Sequence, residues 1–151
     1  MDVVFQTKKS CDTSRWKYIY VHHSRSTNGN ALSVDQTSTG TADHFVIGNG
    51  DGAVDGEIQV SQRWDTQQPA APPSGATSIE PTCISICLIG DFDRTRPTPT
   101  QVRRLGQLVT ALQAKFQIPA SAVSVVTQPK SGAAGIGRYF PASGFREQLL
   151  P

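Results

Sequence analysis

Long apolar runs are missing from this chain, and so is any large surplus of charge. No segment approaches the roughly 20 consecutive apolar residues that a helix needs to cross a bilayer, so no membrane span is expected. The 14 Lys and Arg against 12 Asp and Glu leave a formal charge of +2, too small to predict nucleic acid as a partner. The N-terminus, Met1-Asp2-Val3-Val4-Phe5-Gln6-Thr7-Lys8-Lys9, places an acid before a very short apolar run and lacks the basic-then-apolar order of a secretory signal. A cytoplasmic location is therefore expected, unless the chain is a fragment of an exported protein. Cysteine is scarce: Cys11, Cys83 and Cys87 leave at least one thiol unpaired. Cys83 and Cys87 share a strand-like run in which four residues span roughly 13 Å, beyond the roughly 7 Å Cα limit of a disulfide, so buried free thiols are expected. The loop from Gly48 to Gly56 lacks the alternating acids and terminal glutamate of a calcium loop. No internal repeat is present.

What remains is a chain of 151 residues, most simply one domain, long enough to bury roughly 70% of its unfolded surface without a disulfide or metal. Tyr18 to Val21 is β-branched and aromatic and predicts a central strand ending at His22 and His23. Ala31 to Gln36 predicts at best a two-turn helix, stopped by Gly40. His44 to Ile47 and Glu57 to Val60 predict two strands of a hairpin, joined by a Gly- and Asx-rich turn. Gln67 to Ser78, with Pro69, Pro72 and Pro73, must be a surface loop. Cys83 to Gly90 is apolar enough for a strand buried on both faces. Thr98, Pro99 and Gln101 form an N-cap, a first-turn proline and a capping-box partner. They open a helix whose stripe of Leu105, Leu108, Val109, Leu112 and Phe116 reads as a core face rather than a partner groove. Ala122 to Val126 suggests a last short strand, followed by a Gly-rich loop and Arg138-Tyr139-Phe140-Pro141.

Taken in order, Tyr20-Val21-His22-His23-Ser24, His44-Phe45-Val46-Ile47-Gly48-Asn49-Gly50, Gly56-Glu57-Ile58 with Arg63-Trp64, Ile84 to Phe92, Pro97-Thr98-Pro99 and Gly137-Arg138-Tyr139-Phe140-Pro141 resemble the type 2 N-acetylmuramoyl-L-alanine amidases. That fold is shared with peptidoglycan recognition proteins and phage lysozyme-type amidases. The resemblance covers residues 15–141 and implies a single α/β domain, with a mixed central sheet of about five strands flanked by helices. The domain is placed at 15–151, after an N-terminal extension of residues 1–14.

In that family a zinc ion is held by a histidine at the end of the first strand, a second histidine late in the chain, and a cysteine or aspartate before the final aromatic motif. Three ligands leave a position open for the attacking water. By this resemblance His22 matches the first ligand, Thr127 stands where the second is expected and Gly135 where the third is expected. No histidine follows His44. The family's tyrosine before the hairpin histidine corresponds to Asp43, and a residue that supports the oxyanion corresponds to Ala133. These four, Asp43, Thr127, Ala133 and Gly135, read as vestigial catalytic positions. His23, next along the strand, faces the other way and cannot share a metal with His22.

A site rebuilt from His22, His44 and Asp43, and a Cys87 nucleophile paired with a histidine, are the local alternatives. The reading adopted is a noncatalytic amidase-like domain without a metal cofactor. It would bind a peptidoglycan fragment or a protein partner through the old cleft, lined by His22, Arg25, Asp43 and His44. The alternative is an amidase that cleaves the muramoyl-L-alanine bond with an atypical zinc site including His22. The sequence does not specify an oligomeric state.

Overall fold

The structure is a computed structural model, described here for residues 1–38, 40–72, 79–125, 127 and 135–151. Five strands form one mixed sheet: β1 (Tyr18–His23), β4 (Phe45–Ile47), β5 (Ile58–Val60), β6 (Cys83–Leu88) and β7 (Val123–Ser124), in the order β5-β4-β6-β1-β7. β6 lies between β4 and β1 and is parallel to both, β7 is parallel to β1, and β5 closes the other edge antiparallel to β4. All six residues of β6 are buried, as a strand flanked on both sides and covered on both faces must be. This is the mixed-sheet α/β domain that the sequence predicts.

Strand alternation divides the side chains between two layers. Ile19 and Val21 of β1, Phe45 and Ile47 of β4, and Ile84, Ile86 and Leu88 of β6 enter one core. The helix α2 (Pro99–Phe116) covers it with Leu105, Leu108, Val109, Leu112 and Phe116. Thr98 caps α2 by accepting the Gln101 N–H, and the Gln101 side chain accepts the Thr98 N–H, which completes the capping box. The opposite layer is thinner. Val46, Cys87 and Ile89 meet Val34 there.

Val34 belongs to the segment in which the structure departs from expectation. Residues 31–36 do not form a helix. Ala31 to Ser33 make a turn, and the chain then enters a two-stranded hairpin of β2 (Gln36–Thr37) and β3 (Gly40–Thr41). Asp35 adopts φ 48°, a left-handed conformation that ends any right-handed helix. With Val34 as the one fully buried apolar residue, the segment has no stripe that would repay helix formation.

Two short helices have no counterpart in the sequence reading: α1 (Gln62–Asp65), capped by Ser61, and α3 (Ala142–Glu147). The first residues also fold onto the domain. Val4 is in the core and its carbonyl accepts the Trp64 indole N–H at 2.7 Å. The three thiols are unpaired, with Cys83 and Cys87 buried. Among the described residues no helix is long and apolar enough to cross a membrane.

Candidate functional site

The last residues of β1 present their two imidazoles to opposite layers. His23 joins the α2 side, where its Nδ1 accepts the Phe92 N–H at 3.0 Å and its ring stacks on Phe92. Burial, only partly offset by Asp93, lowers its pKa. His22 faces the other way, stacked on Tyr20, and is 3% exposed. Its Nε2 lies 2.6 Å from Asp43 Oδ1. Asp43, 2% exposed, also accepts the Ser85 hydroxyl at 2.7 Å and, through Oδ2, the Thr41 hydroxyl at 3.5 Å. Its position is fixed from both sides of the chain. β3 delivers Thr41, and the Ser61 hydroxyl holds the Asp43 carbonyl at 2.7 Å.

Charge is what binds this pair. Burial alone would lower the His22 pKa, but the Asp43 carboxylate and its hydrogen bond outweigh burial and raise it. Burial alone would raise Asp43, but the His22 charge and the hydrogen bonds to His22, Asp35 and Ser85 pull it down to about 2. Below the raised His22 value and above the lowered Asp43 value, the pair is an imidazolium and a carboxylate.

Two further residues complete the pocket. The reversed backbone at Asp35 turns its carboxylate back under the hairpin, with Oδ2 at 3.8 Å from His22 Nε2. That oxygen is buried and faces no hydrogen-bond donor among the described residues, although a proton held by Asp35 is shared with the Asp43 carboxylate. Burial and the neighbouring Asp43 carboxylate raise Asp35 to about 7. Cys87 is the parallel-register partner of His22 on β6 and is 0% exposed. Burial pushes its thiol well above the ordinary range, with the nearby carboxylates adding to the effect. A nucleophilic Cys87 thiolate therefore has no support. The donor atoms of His22, Asp35, Asp43 and Cys87 all lie within 4.8 Å of one another. This nitrogen, oxygen, oxygen and sulfur set is one that suits zinc or a similar divalent ion.

The other expected residues are dispersed. His44 does not join His22. It is 0% exposed and wedged against Trp16 and Trp64. Its Nδ1 accepts the Ser85 N–H at 3.1 Å and its Nε2–H donates to the Gln68 carbonyl at 2.7 Å. With both nitrogens engaged by the main chain it lines no cleft, which removes the rebuilt site of His22, His44 and Asp43. Arg25, at φ 61°, is exposed where the chain leaves β1. Gly135 is buried and its carbonyl accepts the His23 N–H at 3.3 Å, so it sits against the end of β1 with no side chain to offer. Thr127 is half-buried, and Ala133 lies outside the described residues. The three positions that the resemblance assigns to zinc thus hold an imidazole, a hydroxyl and no side chain.

The hairpin wall and α1 enclose two adjoining hollows. One of about 170 Å³ is lined by residues including Leu32, Gly40, Thr41, Val60, Ser61 and Arg63. The other, of about 460 Å³, is lined by Ser38, Gly40, Gln62, Arg63 and Gln68. Thr41 and Ser61 stand between the smaller hollow and the pocket, since both line that hollow and hydrogen-bond Asp43. Arg63 braces the wall through the Thr41 carbonyl and the Thr37 hydroxyl.

A model of the N-acetylmuramoyl-L-alanine amidases, Amidase_2, matches residues 12–136. The chain belongs to that family. Solved structures agree on the fold. The amidase LysC of Clostridium intestinale URNW is similar over 94% of this chain and 91% of its own, at TM-score 0.59 and 17% identity. The peptidoglycan recognition protein PGRP-Hd of Alvinella pompejana is similar over 91% and 86%, at TM-score 0.55 and 18% identity. The amidase AmiD of E. coli, solved with anhydro-N-acetylmuramic acid-L-Ala-D-γ-Glu-L-Lys, is similar over 95% of this chain and 61% of its own, at TM-score 0.56 and 16% identity. No curated protein sequence matches the chain.

Asp35 escapes the sequence reading as a site residue, and Cys87 enters it only as an alternative nucleophile, not as a donor beside His22. For Cys87 a signal exists: Ile84, Ile86 and Leu88 mark one face of the strand, and Ser85 marks the other as polar, the face that Cys87 shares. Asp35 carries no comparable signal, because its place depends on a turn that the pattern reads as helix.

Proposed function

We propose that this amidase-family domain binds a peptidoglycan fragment without cleaving it. The observation that carries the reading is the 2.6 Å contact of His22 Nε2 with Asp43. The imidazole nitrogen that would face a metal in a working amidase is committed to a buried carboxylate. Around it, Thr127 offers a hydroxyl and Gly135 nothing, so a family-type centre with an open position for water lacks its second imidazole and its third ligand. Asp43 also stands in place of the tyrosine that the family pattern sets before the hairpin histidine. Binding is assigned to the hollows beside the β2–β3 hairpin, where the exposed Ser38, Gln62 and Gln68 offer hydroxyl and amide groups for a sugar or peptide. AmiD, which shares this fold, was solved with a muropeptide.

The test pairs two assays on the same preparation. Purified peptidoglycan is incubated with the protein, and both sedimented protein and released muropeptides are measured. Co-sedimentation without release is expected. Release that disappears in His22→Ala would establish a working amidase and sink the noncleaving reading. Failure to sediment would remove the wall ligand and leave a protein partner as the occupant of the cleft.

A further inference from the structure

We propose that His22, Asp35, Asp43 and Cys87 form a closed binding site for one divalent transition-metal ion, built from a donor set different from the one the family resemblance implies. Only His22 belongs to both. The inference goes beyond the noncleaving reading and does not depend on it, since a metal held by four protein donors has no open position for water and serves structure instead of hydrolysis.

Three observations carry it. First, the donors are of the right kinds and in one place: an imidazole nitrogen, two carboxylate oxygens and a thiol sulfur, all within 4.8 Å. A tetrahedral centre with bonds of about 2.0–2.3 Å holds its donors about 3.3–3.8 Å apart. The His22–Asp35 separation of 3.8 Å lies at the edge of that range. The His22–Asp43 contact of 2.6 Å must open when the ion displaces the proton between them. Second, Asp35 Oδ2 is buried and faces no hydrogen-bond donor among the described residues, and an unmatched carboxylate oxygen is costly unless a proton or cation meets it. Third, two carboxyl groups share a single imidazole, and among the described residues no other cationic side chain lies within ion-pair distance of either. Entry is possible from one side, because Asp35 is 23% exposed whereas His22 and Asp43 are nearly sealed.

Chelator-treated, reduced protein titrated with Co²⁺ tests the site directly. The expected result is one ion per chain, with visible bands of four-coordinate cobalt and a near-ultraviolet sulfur-to-cobalt charge-transfer band, all displaced by Zn²⁺. Cys87→Ser should abolish the charge-transfer band and weaken binding at least about tenfold, while Cys11→Ser and Cys83→Ser leave both unchanged. Absence of cobalt uptake by the native protein overturns the proposal and leaves a proton as the partner of Asp35. A charge-transfer band that survives in Cys87→Ser overturns it equally, by placing the metal elsewhere. The native titration decides the matter even if Cys87→Ser does not fold. Either outcome is separable from the function proposed above, which is read by peptidoglycan sedimentation.

Discussion

Replacing Asp43 by asparagine isolates the charge that holds the pocket together. The side chain keeps its shape. One oxygen still accepts from Ser85, and the new amide can donate to the Thr41 hydroxyl, so the loss falls on the ion pair with His22 at 2.6 Å. Removing one partner of a buried pair costs roughly 3–5 kcal/mol. The lower end applies here, because the imidazole can shed its proton and because Asp35, 3.8 Å away, is freed of the Asp43 charge that disfavours its ionisation and can take over as the counter-ion. The expected loss is about 3 kcal/mol at a pH where the pair is fully charged.

The pH dependence has a definite sign. His22 has a raised folded pKa, so its contribution is fully present below the unfolded value of 6.5 and fades as pH rises through the folded one. Asp43 has a lowered folded pKa, so its contribution is present above 3.8 and fades as pH falls toward about 2. The cost of Asp43→Asn is therefore largest between about pH 4 and 6.5, and it shrinks toward the ~1 kcal/mol of a neutral hydrogen bond as pH rises through the folded His22 value. Urea unfolding of chelator-treated protein at one pH inside that window and one above the His22 titration measures it. Imidazole NMR should show His22 titrating lower in the variant than in the native protein, since burial then dominates. An equal cost at both pH values, or an unmoved His22, refutes the ion pair as the organising interaction.

Other groups give independent checks. His44 is buried with its pKa lowered to about 4, so its stabilising contribution is present above 6.5 and is lost as pH falls to about 4, a swing of about 3 kcal/mol. It should appear as a difference in pH slope between Asp35→Asn and Asp35→Asn/His44→Gln, the shared background removing Asp35, which titrates in the opposite sense across the same window. Gly137 has φ +94°, and a Cβ there would lie 2.6 Å from Phe92 Cβ. Gly137→Ala should therefore cost about 2–3 kcal/mol in urea unfolding, and a cost near zero would place the terminal aromatic motif elsewhere. Thr98→Ala removes the side-chain half of the α2 capping box and should cost about 1 kcal/mol in the same assay.

Which parts of the molecule are legible in the chain follows from how local their causes are. β6 is read from one apolar run, and α2 from a capping box followed by a stripe of spacing three and four. The hairpin of β4 and β5 follows from its glycine- and Asx-rich turn. Each needs only near neighbours in sequence. The pocket does not. His22 meets Cys87 through parallel pairing of β1 with β6 and Asp35 through a single left-handed residue, and neither event leaves a periodic pattern. His44 misleads for the complementary reason. It is a polar residue beside a site motif, but tertiary packing between two tryptophans decides that its nitrogens serve the main chain.

Buried charge accounts for the pocket's composition better than lost ligands do. An imidazole sealed at the end of β1 needs a hydrogen-bonding partner, and Asp43, supported by Ser85 and Thr41, is sufficient for that role. Were this all the pocket required, a second carboxylate beside the first would only raise its energy, through repulsion and through the desolvation of another charge. Yet Asp35 is held against Asp43 by a left-handed backbone that an asparagine, without the charge, could adopt as readily. The surplus carboxylate must be met by a proton or by a cation. With the Cys87 sulfur as a fourth donor at the same point, a cation engages all four residues, whereas a proton engages only Asp35 and the Asp43 carboxylate that shares it.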